Sequence, residues 1–257
     1  MNDRRIVLKS PREIAQMREA GRIAALALRE AANAAEPGVS TAELDQVAES
    51  AIRSRGGIPS FKGLYDFPAS ICSSINDEIV HGIPSKRRTL KSGDLVKIDI
   101  GALLGGFHSD TALTVGVGDI SAQAAALIEV TEQALWAGIR ACCAGGRVRD
   151  ISAAIEGYVR SRGEYGIVRQ YVGHGIGREF HEPPQVPNYV DPKHGQTAPL
   201  KPGLVLAIEP MLNLGTWETR QRKGDSWTVY TKDGKLSAHF EHSVAIGEGE
   251  PEVLTLP

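Results

Sequence analysis

The sequence predicts an α+β fold made of two related halves, each a pair of helices followed by antiparallel strands, and three observations carry that prediction. Capped amphipathic helices come in two pairs, and an alternating strand pattern follows each pair. Between the two sets runs a direct echo. Leu90-Lys-Ser-Gly-Asp-Leu-Val-Lys-Ile-Asp99 returns as Leu200-Lys-Pro-Gly-Leu-Val-Leu-Ala-Ile-Glu209, carrying Gly93 to Gly203, Ile98 to Ile208 and Asp99 to Glu209 at an offset of 110. Internal repetition of this kind reveals architecture before any single element does. One domain over residues 1–257 follows, with halves spanning about 10–118 and 119–250.

Ser10 is the N-cap of the first helix, Pro11 its first residue and Glu13 the return arm of a capping box. Ile14, Met17, Ala20, Ala24, Ala27 and Leu28 form its apolar stripe, and Pro37-Gly38 marks the break. Ser40 with Glu43 opens a second helix carrying Leu44, Val47, Ala48, Ala51 and Ile52, stopped at Gly56-Gly57. Strand-like sequence runs from Phe61 to Ile83. In the second half Ser121 caps a helix through Leu127, Val130, Leu135 and Ile139, and Gly145-Gly146 interrupts it. A further helix holds Ile151, Ile155 and Val159 and ends at Gly163.

Between these helix pairs Val96, Ile98 and Ile100 alternate with Lys97 and Asp99, the pattern of a half-buried strand. Gly105-Gly106 then makes a hairpin turn into a return strand, Phe107 to Val117. That turn sets Leu104 opposite Phe107 and Gly101 opposite Asp110. Asp99 becomes the diagonal neighbour of Asp110 on one face, at roughly 7–8 Å between backbones, within reach of a shared cation. Aspartate is depleted in strands, and two like charges on a dry face repel unless something positive lies between them. A pair of solvated aspartates is the alternative. The repeat favours the cation, because it adds Glu209 from the equivalent strand and Glu241 from a second return strand, Leu236 to Ile246. Four converging carboxylates suit two divalent metals, which bridging carboxylates hold about 3.5–4 Å apart in hydrolytic sites. His174, framed by glycines in Gly173-His-Gly-Ile-Gly177, has the setting of a metal ligand.

Composition narrows the function classes. With 42% hydrophobic and 23% charged residues and a net charge of −2, the chain has no global field for nucleic acid or anionic membrane. Only Arg4, Arg5, Lys9 and Arg12 make a short basic start. No signal-peptide run opens the sequence and no stretch has the apolar length of a membrane span, so a cytosolic protein is expected. Cys72, Cys142 and Cys143 form neither a disulfide framework nor a CxxC zinc motif. Arg178 stands where a dinucleotide fingerprint needs its last glycine, and Pro183-Pro184 forbids the helix that HExxH requires. There is no GxSxG, and Cys72 has no evident base partner except His81.

Asn76-Asp-Glu-Ile-Val-His-Gly-Ile-Pro84, Lys97-Ile-Asp-Ile-Gly101, Gly106-Phe-His-Ser-Asp-Thr111, Gly173-His-Gly-Ile-Gly-Arg178, Phe180-His-Glu-Pro183, Ile208-Glu-Pro210 and Phe240-Glu-His242 together resemble the type I methionine aminopeptidases of peptidase family M24, in their short bacterial form. The resemblance runs from about Ile14 to the C-terminus. It implies the pseudo-twofold "pita-bread" (creatinase/aminopeptidase) fold around a central metal site, in a single catalytic domain. It also implies that Asp99, Asp110, His174, Glu209 and Glu241 ligate two divalent ions of cobalt, manganese, iron or zinc, with Asp110 and Glu241 bridging. By the same resemblance Glu209 is the general base, His181 stabilises the carbonyl oxygen and His81 contacts the scissile nitrogen. Tyr65, Phe67, Cys72, Phe180 and Trp227 look like the apolar methionine wall, although Leu64 and Phe67 stand where many relatives have tyrosines. The candidate partners are nascent polypeptide N-termini and the ribosome, with neither membrane nor specific nucleic acid; the implied state is a cytoplasmic monomer. His108, His194, His239 and His242 are expected to be structural or exposed. A proline-directed peptidase of the same fold is the nearest rival, and those usually carry an additional N-terminal domain, for which a first helix opening at Ser10 leaves no room. A scaffold that only binds protein or RNA would have lost ligands, and all five are present.

Overall fold

The computed structural model describes residues 6–191 and 198–257, so Arg4, Arg5 and His194 lie outside the described residues. Both predicted capping boxes form: the hydroxyls of Ser10 and Ser40 accept from the Glu13 and Glu43 amides, and the glutamate carboxylates take the serine amides in return. They start α1 (Pro11–Asn33) and α2 (Thr41–Ser54). α1 stops four residues before Pro37, where Ala35 N–H turns back to the Ala32 carbonyl in a tighter last turn. The first half continues with β1 (Ile58–Pro59), β2 (Ile71–Ile75), β3 (Glu78–Val80), β4 (Leu95–Leu104) and β5 (Phe107–Gly116). The second half opens with α3 (Ala122–Arg140) and α4 (Val148–Arg162). Its strands are β6 (Gly166–Ile167), β7 (Gly173–Gly175), β8 (Glu182–Val186), β9 (Val205–Ile208), β10 (Met211–Asn213), β11 (Thr219–Arg220), β12 (Val229–Thr231), β13 (Ser237–His239), β14 (Glu241–Ala245) and β15 (Glu252–Val253).

A nine-stranded sheet in the order β1-β4-β5-β14-β9-β7-β8, with β2 on β4 and β15 on β14, crosses both halves. They join where β14 pairs with β5, setting Glu241 opposite Ala112 and His242 opposite Thr111. Each half buries its own helix pair against its own strands. Val96, Ile98, Ile100 and Ala102 face α1 and α2, while Leu206, Ile208 and Val244 face α3 and α4. Period-two alternation then sends Asp99 to the opposite face of β4. No helix among the described residues is long and apolar enough to cross a membrane.

The β4–β5 hairpin has the predicted register, with Leu104 opposite Phe107, Gly101 opposite Asp110 and Asp99 opposite Ala112. The second half departs from its template. The strand equivalent to β4 is cut into β9 and β10 at Glu209-Pro210, and the return strand expected as one run from Leu236 to Ile246 is cut at Phe240 into β13 and β14. Pro210 has no N–H to continue a ladder, so the pairing opens there and only its carbonyl still accepts, from Phe240 N–H at 3.3 Å. β10 and β13 leave the main sheet and pair with each other, and β10 takes β6 on its other edge. Pairing on the two sides of the break, Ile208 with His242 and Met211 with His239, places Glu209 directly opposite Glu241. The acids are therefore diagonal in one half and opposed in the other.

Candidate metal centre

β4 brings Asp99, β5 Asp110, β14 Glu241 and the end of β9 Glu209 to the floor of one cavity, and β7 adds His174. Ligand atoms of Asp110, His174 and Glu241 all lie within 4.8 Å of one another. His174 Nε2 is 3.7 Å from Asp110 Oδ2 and 3.7 Å from Glu209 Oε1. Its other nitrogen, Nδ1, donates to the Gly175 carbonyl at 2.8 Å, which leaves the Nε2 lone pair aimed at the carboxylates. The flanking glycines make this possible by close approach. A Cβ on Gly173 would stand 2.3 Å from the Ala207 carbonyl oxygen, and one on Gly175 2.3 Å from that of Pro183.

No lysine or arginine among the described residues pairs with any of the four acids. Asp99 Oδ1, Asp110 Oδ1 and Glu241 Oε1 are buried with no hydrogen-bond partner. Burial pushes Asp99 up to about 7. Asp110 is held well above the carboxylate range by burial and then by the charges of Asp99 and Glu209. Glu209 and Glu241 are raised likewise, by burial first and by neighbouring carboxylates second. His174 goes the other way, down to about 3, because burial disfavours the imidazolium. A neutral imidazole beside carboxylates that lack positive charge, each costing several kcal/mol to desolvate, is a site built to receive cations.

Above this floor lies a cavity of about 150 Å³. Phe67, Cys72, Phe180 and Trp227 line it, with Phe67 edge-on to Trp227 at 5.0 Å. Tyr65 does not form part of a buried wall. It is 67% exposed at the rim, on left-handed backbone, and its ring stacks on His181 at 5.9 Å. Phe61, which the sequence reading passed over, closes the wall by packing edge-on against Phe180 at 5.3 Å, and Leu64 lines the cavity beside it. The Cys72 thiol sits opposite Asp99 and is pushed far above its ordinary range by burial and by that carboxylate, so it is no nucleophile.

His81 follows β3 on left-handed backbone, φ 61°, an uncommon conformation for histidine that turns its ring into the cavity. Burial lowers it to about 4, so it is neutral near pH 7. His181 is exposed at the rim, edge-on to His174 at 4.4 Å. Two expectations for the remaining histidines hold: His108 Nδ1 bonds the Ser60 hydroxyl and His242 Nδ1 that of Thr255. His239 differs. It is 1% exposed, neither ring nitrogen has a hydrogen-bond partner, and Nε2 lies 4.0 Å from Glu209 Oε2. It stands opposite Met211, which makes it the diagonal neighbour of Glu209 in the register that sets Glu241 opposite that acid.

The model of metallopeptidase family M24 matches residues 15–248. A methionine aminopeptidase of Clostridium acetobutylicum is 51% identical, covering 98% of this chain and 99% of its own. Methionine aminopeptidase 1 of Bacillus subtilis is also 51% identical, over 97% of this chain and 99% of its own. Among solved structures, a methionine aminopeptidase from Thermotoga maritima superposes with a TM-score of 0.94 at 39% identity, covering 98% of this chain and all of that one.

Proposed function

The chain belongs to metallopeptidase family M24 and, within it, to the methionine aminopeptidases, and on that premise we propose that it removes the initiator methionine from polypeptides whose second residue is small and uncharged, using two divalent ions. The observation that carries the reading is an uncompensated carboxylate floor, with one lone-pair imidazole, under a cavity walled by aromatic rings. The residues fit the cations: three buried carboxylate oxygens lack any partner and His174 Nε2 points among them. Asp99, Asp110, His174, Glu209 and Glu241 would hold the ions, and the oxygen-rich donor set suits manganese, iron, cobalt or zinc. Bound there, such ions supply Lewis-acid polarisation and a nucleophile from water at neutral pH.

The chain's own side chains do the rest. Glu209 is 14% exposed where Asp110 is 5%, so it reaches the cavity and takes the proton from the attacking water as general base. His181, at the rim, donates to the carbonyl oxygen as negative charge develops on it. His81, neutral and on the cavity wall, hydrogen-bonds the scissile nitrogen and assists departure of the amine. At about 150 Å³ the cavity is smaller than the roughly 300–1,000 Å³ of drug-sized pockets, which suits one side chain. An unbranched thioether fits among aromatic rings, with sulfur–aromatic contacts adding to the burial. The substrates are nascent polypeptide N-termini in the cytoplasm, met at the ribosome by a monomer.

Turnover of Met-Ala-Ser, Leu-Ala-Ser and Ala-Pro-Ala by metal-supplemented protein tests the reading. Met-Ala-Ser is expected to be cleaved at least roughly tenfold faster than Leu-Ala-Ser, within the discrimination an apolar pocket gives for a change of shape. Equal rates on the first two peptides, or preference for Ala-Pro-Ala, would overturn it in favour of another member of the fold.

A further inference from the structure

We propose that Lys9 is a positioning residue: its ammonium, buried against Glu182, locks the Phe180-His181 segment to the turn that leads into the Glu209 strand. The proposal rests on the roles given above to His181 and Glu209. Lys9 Nζ lies 2.6 Å from Glu182 Oε2, with side chains only 2% and 8% exposed, and it also donates to the Val7 carbonyl at 3.1 Å. The Lys9 amide donates to Gly203 O at 2.7 Å, in the turn before β9, and a Cβ on Gly203 would stand 2.6 Å from Lys9 O. One residue is thus fixed by its backbone to the strand that ends at Glu209 and by its side chain to the neighbour of His181.

Gly177 completes the joint. A Cβ there would stand 2.4 Å from Glu182 Oε1 and 2.5 Å from Lys9 Cε, so a side chain at this position would force the pair to shift. The Gly177 carbonyl accepts from His108 N–H at 2.8 Å, on β5 two residues before Asp110. Three arms of the site therefore meet at this ion pair. His181 needs such an anchor, because its own polar contact is a 3.5 Å approach to the exposed Tyr65 hydroxyl. A buried ion pair adds little to stability over well-packed apolar groups, whereas its short directional contact fixes geometry.

That contrast gives the test. Lys9→Met, Glu182→Gln and the double variant Lys9→Met with Glu182→Leu are compared with the full-length wild type for melting temperature, metal content, kcat and KM on Met-Ala-Ser. In the metal-free proteins the imidazole NMR signals of His181 are compared as well. The double variant, in which no charge is left unpaired, is expected to melt near the wild-type temperature and bind metal normally. Its kcat is expected to fall roughly 10–100-fold, the cost of a displacement of about 1 Å, with KM changed less than about threefold because Phe67, Cys72 and Trp227 lie on other elements. Glu182→Gln, which keeps side-chain length and an acceptor oxygen, is expected to shift the His181 signals and lower kcat. A stable double variant with wild-type kcat would overturn the proposal, as would unchanged His181 signals with unchanged kcat in Glu182→Gln. If the double variant does not fold, Glu182→Gln decides. Absence of Met-Ala-Ser cleavage by the wild type would instead overturn the aminopeptidase reading, and the NMR comparison would still decide the positioning role.

Discussion

His81 and Glu209 divide the labour of the site differently, and single substitutions separate them. His81 touches none of the carboxylates and is held neutral by burial. His81→Ala is expected to keep fold and metal content while lowering turnover roughly 10²–10⁴-fold, the range for a lost proton-transfer partner. Glu209→Gln is expected to lower metal affinity and turnover together, because that carboxylate faces both His174 and the cavity. Turnover per folded, metal-loaded molecule is the measurement for both, and near-normal turnover in His81→Ala would remove it from the reaction. Asp99 and Asp110 were legible because aspartate on an alternating strand calls for a cause, and the glycine frame did the same for His174. His239 and Phe61 were not legible. Phe61 lies in no motif and His239 stands just outside Phe240-Glu-His242, and their places beside Phe180 and Glu209 arise from packing between distant elements.

The helices were read from capping and apolar period with little error, since both signals are local. The β4–β5 hairpin was equally legible, because a two-residue turn fixes register over its whole length. The second half was read as a copy of the first, and Pro210 is where the copy fails. A proline inside an otherwise strand-like run signals a break, yet the second cut, at Phe240, follows only from the partner strand having opened. The β7 glycines act at the same scale. Gly175→Ala would drive a methyl against the Pro183 carbonyl and displace the carbonyl that orients His174. Metal affinity is expected to fall about 10–100-fold, as when a group that orients a metal ligand is lost. Titration of metal-free Gly175→Ala with manganese measures this, and wild-type affinity would contradict the role given to the close approach.

Across the whole molecule, the halves are joined at a seam of acids, and this makes the stability of the metal-free protein depend on pH. A carboxylate with raised pKa in the fold stabilises the native state below its unfolded pKa, and that contribution is lost as pH rises through the folded value. His174 and His81 are depressed to about 3 and about 4, so their stabilisation is present above about 6.5 and lost as pH falls. Between pH 7.5 and 8.5 these histidines are almost wholly neutral in both states, and Asp110, Glu209 and Glu241, raised well above the carboxylate range, set the slope and outweigh Lys97, which burial lowers to about 7 and which opposes them. The melting temperature of metal-free protein is expected to fall across that window, and metal-loaded protein to show little change; equal slopes would contradict it. The repeat made the meeting of the halves legible from the offset alone, whereas the opposition of Glu209 to Glu241 depends on the register of the second-half strands, which differs from that of β4 and β5. Metal analysis of dialysed protein, paired with Met-Ala-Ser hydrolysis before and after chelation, tests most directly whether acids from both halves hold catalytic cations. Two divalent ions per chain are expected, with fewer in Asp99→Asn and hydrolysis lost on chelation and restored on metal return. Retention of no metal, with hydrolysis indifferent to chelator, would contradict it.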